Sequence, residues 1–240
     1  MQGAEQLGDL LLKFDAHPLV AEILIINNSD STLRWRMPPK AREIYRGPNL
    51  YVNPAWNLGA EHASSSLLAI VNDDIDFEPS LLDHVAEEFE RREIGMLGPA
   101  APVIFGGDRA SGFRTEPVWE APGGYGVMFF VRRDSYEPIP GSMRIYAGEY
   151  WLFWNQARPN RQFLGSRITT VMHTTSGRSE FSAVKQEDVR AYHAAMAEVR
   201  GTRSWHRHAL RMHRLDDASR WFRKLARRAM DRAGRSRPND

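Results

Sequence analysis

The stretch LLAIVNDDID, residues 67–76, decides the fold, because an apolar run ends there in a cluster of acids. Residues 67–71 are apolar and partly β-branched, which predicts a short buried strand. The polar residues that follow include Asp73, Asp74 and Asp76. In open α/β sheets, ligands bind at the carboxyl ends of the strands, so this strand exit is the first place to look for a site.

Three carboxylates within four residues repel one another unless something neutralises them. Mg²⁺ or Mn²⁺ relieves such repulsion, since these ions prefer carboxylate oxygens and keep coordination positions free for substrate phosphates. Alternatively, the acids cap the helix expected from residue 79 and interact with its positive end. The residues alone leave both interpretations open.

Short strands and helices alternate on both sides of this stretch. In residues 5–16 the apolar side chains recur every three or four positions, which predicts a helix, and residues 79–92 show the same spacing with acids outside. The other expected elements are strands at 22–26, 49–53, 95–105 and 123–133, a helix at 57–66, and loops through residue 39 and at 108–122. This alternation predicts an α/β fold with a mainly parallel, Rossmann-like sheet flanked by helices.

The composition of the 240 residues is that of one globular domain with an appendage, since 42% are hydrophobic and none is cysteine. The lack of cysteine excludes disulfides, thiolate–zinc sites and cysteine nucleophiles, and it fits a reducing compartment. The apolar runs are far shorter than the roughly 20 residues that span a bilayer. The polar start MQGAEQLGD does not resemble a secretory signal. We therefore expect a cytoplasmic protein.

The net charge of +2 conceals an acidic body and a basic tail. Residues 1–199 contain 19 Lys and Arg against 26 Asp and Glu, a net charge of −7, whereas residues 200–240 contain 13 against four, a net charge of +9. Residues 215–229 place apolar side chains on one face, which predicts a basic amphipathic helix. Such a helix docks on the acidic body or lies on an anionic membrane surface, and no nucleic-acid recognition motif accompanies it. We predict one domain at 1–182 and a basic, helical C-terminal extension at 183–240.

Several motifs occur in a definite order along this body. INNSDS (26–31) is followed by NPAWNLGAEHA (53–63), LLAIVNDDID (67–76), GGYGVMFFVRR (123–133), a loop containing Gly148-Glu149 and a strand ending at His173. This order resembles that of the family 2 glycosyltransferases, which have the GT-A fold. The resemblance covers residues 5–180. It implies a metal-dependent enzyme that transfers a sugar from a nucleotide-diphosphate sugar to a hydroxyl acceptor.

The resemblance assigns the metal site to the acidic strand exit and to a distant histidine. Asp74 would coordinate the Mg²⁺ or Mn²⁺ that bridges the donor's diphosphate, with Asp76 as an adjacent candidate. Asn72 or Asp73 would contact the ribose. His173 would help to hold the metal or the diphosphate, since imidazole is a suitable Mn²⁺ ligand. A surface or capping histidine is the alternative.

The nucleotide is expected to contact two further segments. Asn27, Asn28 and Ser29 fall at the turn that reads the base and ribose in similar enzymes, although Asn27 stands where the family has an acid. Asn57 and Gly59 match an Asn-x-Gly motif at the start of the next helix, where amide donors face the nucleotide. An ordinary role in turns or caps is the alternative for each of them.

The acceptor side of the site is expected in the loop IYAGEYWLFW. Similar enzymes carry a Glu-Asp pair here, and an acid of that pair removes the proton of the acceptor hydroxyl. The pair is Glu149-Tyr150 in this chain, so Glu149 is the expected catalytic base. Tyr150 and Trp151 have aromatic faces that suit sugar rings or core packing. Gly124 and Tyr125 match the family's acceptor-side turn.

The chain departs from the family at its beginning, where it opens on the helix that follows the first strand in similar enzymes, so that strand is expected to be missing. The leading prediction is an inverting transferase for saccharide, lipid-linked or protein acceptors, with peripheral membrane contact through the basic helix. The alternative is a degenerate, non-catalytic module that binds or scaffolds. A phosphatase of the haloacid dehalogenase type fits less well, because Glu78 stands where Thr or Val is expected.

Overall fold

The computed structural model describes residues 2–33, 36–170 and 181–212. The helices of these ranges are α1 (Gln2–Ala16), α2 (Val52–His62), α3 (Ser80–Arg91), α4 (Ala101–Phe105), α5 (Gly148–Asn155) and α6 (Ser182–Val199). The strands are β1 (Ile23–Asn27), β2 (Ala41–Arg46), β3 (Leu67–Val71), β4 (Ile75–Phe77), β5 (Met96–Pro99), β6 (Arg114–Pro117), β7 (Met128–Arg132), β8 (Arg161–Leu164) and β9 (Ile168–Thr170). A 3₁₀ turn at Tyr125–Val127 leads into β7.

The central sheet has five strands in the order β3-β7-β5-β8-β6. β5 and β8 are parallel, whereas β7 is antiparallel to β3 and β5, and β6 is antiparallel to β8. The α/β prediction is confirmed, but the prediction of a mainly parallel sheet was wrong, since the sheet is mixed. The reason is the turn before β7. It lies beside the end of β3, because the N–H of Asn72 donates to the carbonyl of Val127 (3.0 Å), so β7 starts where β3 ends.

These directions bring several strand ends together. Because β7 opposes both β3 and β5, and β5 runs parallel to β8, the carboxyl ends of β3, β5 and β8 lie at one edge of the sheet. We call this end of the sheet, at which these three strands finish, the carboxyl edge. β7 begins at this edge and ends at the opposite one.

β1 and β2 form a separate parallel pair. α2 returns the chain from the end of β2 to the start of β3, since Nη2 of Arg42 in β2 donates to the carbonyl of His62 at the end of α2 (2.9 Å). Glu22, just before β1, accepts hydrogen bonds from N and Oγ of Ser64, each at 2.6 Å. β1, β2 and β3 therefore start at one edge and end toward the carboxyl edge.

The sheet is interrupted between β1 and β3. Within the described ranges, β1 pairs with β2 alone and β3 pairs with β7 alone. The two strands nevertheless share a core, because Ile23 of β1 and Leu67 of β3 pack against the same hydrophobic cluster.

Several elements differ from those expected. β2 lies in a segment for which no strand was predicted, because its charged residues mask the strand pattern. α2 begins at Val52 and includes part of the strand predicted at 49–53, and Pro54 falls in its first turn, where proline is tolerated. The strand expected at 95–105 is β5 followed by α4, and β6 lies within the loop expected at 108–122.

The central strands distribute their side chains between two hydrophobic clusters, one on each face of the sheet. On β7, Met128 and Phe130 belong to the first cluster and Phe129 and Val131 to the second, as the two-residue period of a strand requires. α1 and α3 cover the first cluster, and α5 and α6 cover the second. The predicted apolar face of α3 is confirmed, since all its members are buried: Leu81, Leu82, Val85 and Phe89.

Residues beyond 182 pack on the second cluster. Tyr192 and Met196 of α6 are buried, and Trp205 stacks on Trp154 with ring centroids 5.4 Å apart. The two segments divided at the predicted boundary therefore share a core. The basic helix predicted at 215–229 lies outside the described residues. In the described ranges, no helix is both long and apolar enough to cross a membrane.

Candidate functional site

The carboxyl edge carries most of the residues that the motifs singled out. The turn at residues 27–29 ends β1, residues 72–74 follow β3, and residues 124–127 precede β7. Segments distant in sequence thus adjoin strand ends, where α/β proteins place their ligands.

Asp74 is the member of the acidic strand exit best arranged for an additional ligand. Its Oδ2 accepts a hydrogen bond from Oγ1 of Thr170 (3.2 Å), and its backbone carbonyl accepts one from Nε2 of Gln6 (3.0 Å). Its Oδ1 is buried and has no hydrogen-bond partner among the described residues. Burying such an oxygen without a partner costs free energy of folding, and a bound cation or water molecule removes that cost.

Asp73 supplies a second carboxylate beside Asp74. Although Asp73 is exposed at the surface, its pKa is raised, because nearby protein partly desolvates the carboxylate and because Asp74 places a like charge next to it. A divalent cation would remove that repulsion. Mg²⁺ is commonly held by one or two carboxylates together with substrate phosphates, so this pair fits such an ion.

Other metal candidates do not join this pair in the described structure. Asp76 lies on β4 opposite Thr169 and forms an ion pair with Lys13 of α1, whose ammonium lowers the pKa of Asp76. This contact accounts for Asp76 without a metal. No group of three His, Asp or Glu side chains suited to a metal occurs in the described ranges, and His173 lies outside them.

The turn after β1 forms a hydrogen-bonded network. Nδ2 of Asn27 donates to the carbonyl of Ser31 (2.8 Å) and to Oε1 of Glu43 (2.9 Å). Oδ1 of Asn27 accepts a hydrogen bond from Oγ of Ser29 (2.8 Å). Oδ1 of Asn28 accepts one from the N–H of Leu50 (3.1 Å). The turn is therefore held in one conformation by its own polar side chains.

Glu43 is a candidate-site residue that the sequence reasoning missed. It lies on β2 and brings a carboxylate to Asn27, the position at which the family resemblance implies an acid in the turn itself. Arg46, paired with Asn27 in the strand register, forms an ion pair with Glu43 and lowers the pKa of its carboxyl group. This role was not visible in the sequence because β2 was not predicted as a strand.

Asn57 and Gly59 lie inside α2 rather than at its start, so the helix-start position expected for them was wrong. The side chain of Asn57 anchors a loop: Nδ2 donates to the carbonyl of Ile139 (2.8 Å), and Oδ1 accepts from the N–H of Ile139 (2.9 Å) and the hydroxyl of Tyr136 (3.0 Å). A Cβ on Gly59 would lie 3.3 Å from Cδ1 of Ile26, so glycine allows α2 to pack closely on β1. Asn57 therefore anchors a loop, and Gly59 allows close packing of a helix on a strand.

The turn before β7 connects the acidic strand exit to the expected base. Gly124 has φ 82°, and a Cβ there would come within 3.0 Å of the side chain that α4 places against it, so this position requires glycine. The carbonyl of Val127 accepts the N–H of Asn72. On the other side, a Cβ on Gly126 would lie 3.6 Å from the side chain of Glu149. The turn thus lies between the strand exit and Glu149.

Glu149 lies in the first turn of α5, shortly after a strained residue. Ala147 has φ 63°, a left-handed conformation that costs a non-glycine residue about 1–2 kcal/mol. Glu149 is recessed: it keeps partial contact with solvent, yet the surrounding protein raises its pKa by desolvation. Such a carboxyl group is suited to proton transfer.

The predicted acceptor-side aromatics divide into core and site residues. Tyr125 is buried and donates its hydroxyl to the carbonyl of Arg161 (2.8 Å). Trp151 is also buried, with Nε1 donating to the carbonyl of Pro138 (3.1 Å), in agreement with the core alternative. Tyr150 is half-buried next to Glu149, so it is the aromatic of this set that an acceptor can reach.

Gly148→Ala is expected to destabilise the fold. A Cβ at position 148 would overlap Oδ1 of Asn53 and lie 2.7 Å from its Cγ, and Asn53 is fully buried. Overpacking of this kind costs about 1–3 kcal/mol, which urea unfolding detects as a lower midpoint. Gly141→Ala is the matched control, because nothing lies within 4 Å of its Cβ position. Equal midpoints for the two variants would contradict the close packing of Gly148.

The candidate site is defined by the acidic strand exit, the turn at 27–29 with Glu43, and the recessed Glu149. Compared with known proteins, the chain matches no protein-family model and no curated protein.

Proposed function

We propose that the protein is a metal-dependent, inverting glycosyltransferase that moves a sugar from a nucleotide-diphosphate sugar to a hydroxyl acceptor. The observation that carries the proposal is the buried Oδ1 of Asp74, which lies beside Asp73 and has no hydrogen-bond partner among the described residues. The recessed Glu149 lies on the other side of the turn at 124–127. A pair of acids for a cation and a separate proton acceptor are what such a transfer requires.

On the donor side, Asp73 and Asp74 would hold Mg²⁺ or Mn²⁺, with diphosphate oxygens as further ligands. When bound, the cation neutralises the charge that develops on the departing nucleoside diphosphate. The turn at 27–29 offers amide and hydroxyl groups to the nucleoside, and Glu43 provides the acid that the turn lacks. β1 and β3, which these groups follow, pack on the same hydrophobic cluster, and this supports a single donor site.

On the acceptor side, the hydroxyl oxygen forms a bond to the anomeric carbon of the sugar. The bond from that carbon to the diphosphate oxygen breaks, and its electron pair leaves with the diphosphate. The hydroxyl proton passes to the carboxylate of Glu149. A single displacement of this kind inverts the anomeric configuration. Tyr150 offers an aromatic face to a saccharide, lipid-linked or glycosylated protein acceptor.

The test is an assay of the whole chain against a panel of nucleotide-diphosphate sugars with Mn²⁺, Mg²⁺ or EDTA. We expect one donor to be hydrolysed slowly, and to be transferred to added hydroxyl acceptors, when a divalent cation is present. Thermal unfolding with nucleoside diphosphates measures binding, since a ligand at about 100 times its Kd adds about 2.7 kcal/mol of stability. Absence of both cation-dependent binding and turnover would refute the proposal.

A non-catalytic nucleotide-sugar-binding module is the second candidate. Two observations favour it: Tyr150 occupies the position of the second acid of similar enzymes, and the described sheet is interrupted between β1 and β3. Such a module would be stabilised by a nucleoside diphosphate and a cation but would neither hydrolyse nor transfer a donor. Stabilisation without turnover across the donor panel would favour this module over the enzyme.

A further inference from the structure

A buried carboxylate on α6 binds three consecutive backbone amides of the loop before α5. Oδ1 of Asp188 accepts a hydrogen bond from the N–H of Arg144 (2.9 Å), and Oδ2 accepts hydrogen bonds from Ile145 (2.7 Å) and Tyr146 (2.9 Å). Asp188 is fully buried. An ionised carboxylate is an acceptor at every lone pair, so it suits three donors, and hydrogen bonds to a charged acceptor are stronger than neutral ones.

The same loop is held from its other side by α2. The N–H of Asn53 donates to the carbonyl of Arg144 (2.9 Å), and its Nδ2 donates to the carbonyls of Met143 (3.2 Å) and Tyr146 (3.1 Å). Asp188 thus binds the amide groups of the loop while Asn53 binds its carbonyl groups. The backbone of residues 143–146 is fixed by two buried side chains from different helices.

The fixed loop leads directly into the residue expected to accept the proton. Ala147, the next residue, has the left-handed φ of 63°, and Glu149 follows in the first turn of α5. A strained conformation persists when its surroundings over-determine it. Asp188 and Asn53 provide those surroundings, so the direction in which Glu149 enters the site depends on their hydrogen bonds.

α6 touches the candidate site a second time, one helical turn further on. Tyr192 is buried and lies against Tyr150, the neighbour of Glu149, with ring centroids 6.1 Å apart. Both contacts come from residues beyond 182. The start of the C-terminal extension therefore supports the loop and the first turn of α5 together.

We propose that Asp188 is a positioning residue for Glu149, which it orients through the backbone of residues 144–146. The proposal rests on the proposed function, since it concerns the base of that reaction. It makes the C-terminal extension part of the catalytic apparatus rather than an appendage. Asp188 itself is buried and contacts no substrate.

The test compares Asp188→Asn with Met196→Ala in the full chain. Asparagine keeps the size of the side chain but turns an N–H₂ group toward one of the three amides. Met196 is buried on the same helix, so its truncation removes packing of α6 without removing a hydrogen bond to the loop. Unfolding midpoints measure how much stability each variant loses, and amide hydrogen exchange of residues 144–146 measures how firmly the loop is held.

Two readouts report on Glu149 itself. Carboxyl-carbon NMR of labelled protein follows its titration, in surroundings that also contain Glu120, Tyr150 and Tyr192. The second readout is the dependence of kcat on pH. Above the pKa of Glu149, kcat reaches a plateau, where Glu149 is fully ionised and a change in its pKa no longer affects the rate. A displaced base lowers that plateau by up to about 10²-fold, because small errors of placement have effects of this size, while the KM for the donor stays unchanged.

The expected result is specific to Asp188. Asp188→Asn should accelerate exchange of the three amides by about tenfold or more, the size expected for losing a hydrogen bond to a charged group. It should also shift the pKa of Glu149 and lower the kcat plateau. Met196→Ala should lower the stability of the protein without either effect. If the two variants differ from wild type in stability only, the positioning role is refuted. If the wild type transfers no sugar, the proposed function fails, and the exchange and titration data still decide whether Asp188 orients Glu149.

Discussion

Asp74→Asn is expected to abolish cation-dependent sugar transfer. The substitution preserves the size of the side chain and its acceptor toward Thr170, but it replaces the carboxylate by a neutral amide at the atom that has no described partner. A bound cation supplies several kcal/mol of charge stabilisation. Because about 1.4 kcal/mol corresponds to a tenfold change in rate, kcat should fall by about 10³-fold or more. Released nucleoside diphosphate, measured at saturating donor and Mn²⁺, gives the rate.

Asp134→Asn is the matched control for this variant. Asp134 is exposed and follows β7, which ends at the edge opposite the carboxyl edge. We expect it to keep the wild-type rate, and we expect Asp74→Asn to lose the Mn²⁺-dependent part of the stabilisation by nucleoside diphosphate. Undiminished turnover in Asp74→Asn would show that the cation is held elsewhere.

Glu149→Gln is expected to lower kcat by about 10²–10⁴-fold, since an amide cannot accept the proton of the acceptor hydroxyl. The same variant should be more stable than the wild type at neutral pH. Burial raises the folded-state pKa of Glu149 above its unfolded-state value, so the folded protein favours the protonated form. That contribution to stability is complete below the unfolded-state pKa and is lost as the pH rises through the folded-state pKa.

Unfolding of the wild type and of Glu149→Gln from acid to neutral pH measures this effect. The stability difference should be largest at neutral pH and should shrink in acid, and kcat of the wild type should fall as the pH drops through the folded-state pKa of Glu149. Glu90→Gln, on the exposed face of α3, controls for the loss of a negative charge. A difference that stays constant with pH would contradict burial as its cause.

The parts of the fold that the sequence predicted are those encoded locally. The helical period of residues 79–92 placed α3 and its buried face correctly, and the run at 67–71 is β3. The sequence itself shows an apolar run followed directly by acids, so the acids could be placed at the end of a strand. For the same reason, Asp73 and Asp74 could be singled out without knowing how the strands pair, whereas Glu149 was singled out only through the family resemblance.

The parts that were missed depend on contacts between distant segments. Hydrophobic period does not reveal the direction of a strand, so the reversal of β7 was not visible. Asp76 looked equivalent to Asp74 until β4 paired with β9 and Lys13, 63 residues away, was brought to its carboxylate. Glu43 belongs to the site only because β2 lies beside β1. The candidate site could therefore be outlined from the sequence, but the residues that surround it in the fold could not.

The three amides held by Asp188 lie 42–44 residues before it in the chain, which bears on how the protein can be shortened. A fragment ending at residue 182 would retain every motif of the donor and acceptor sides in the described structure. It would nevertheless lack α6, the partner of Tyr150 and the carboxylate that closes the loop before Glu149. Such a fragment would expose the second hydrophobic cluster, and the loop before α5 would keep its hydrogen bonds to Asn53 but lose those to Asp188. The smallest piece that preserves the surroundings of Glu149 must extend through Ala209, the last buried member of that cluster among the described residues.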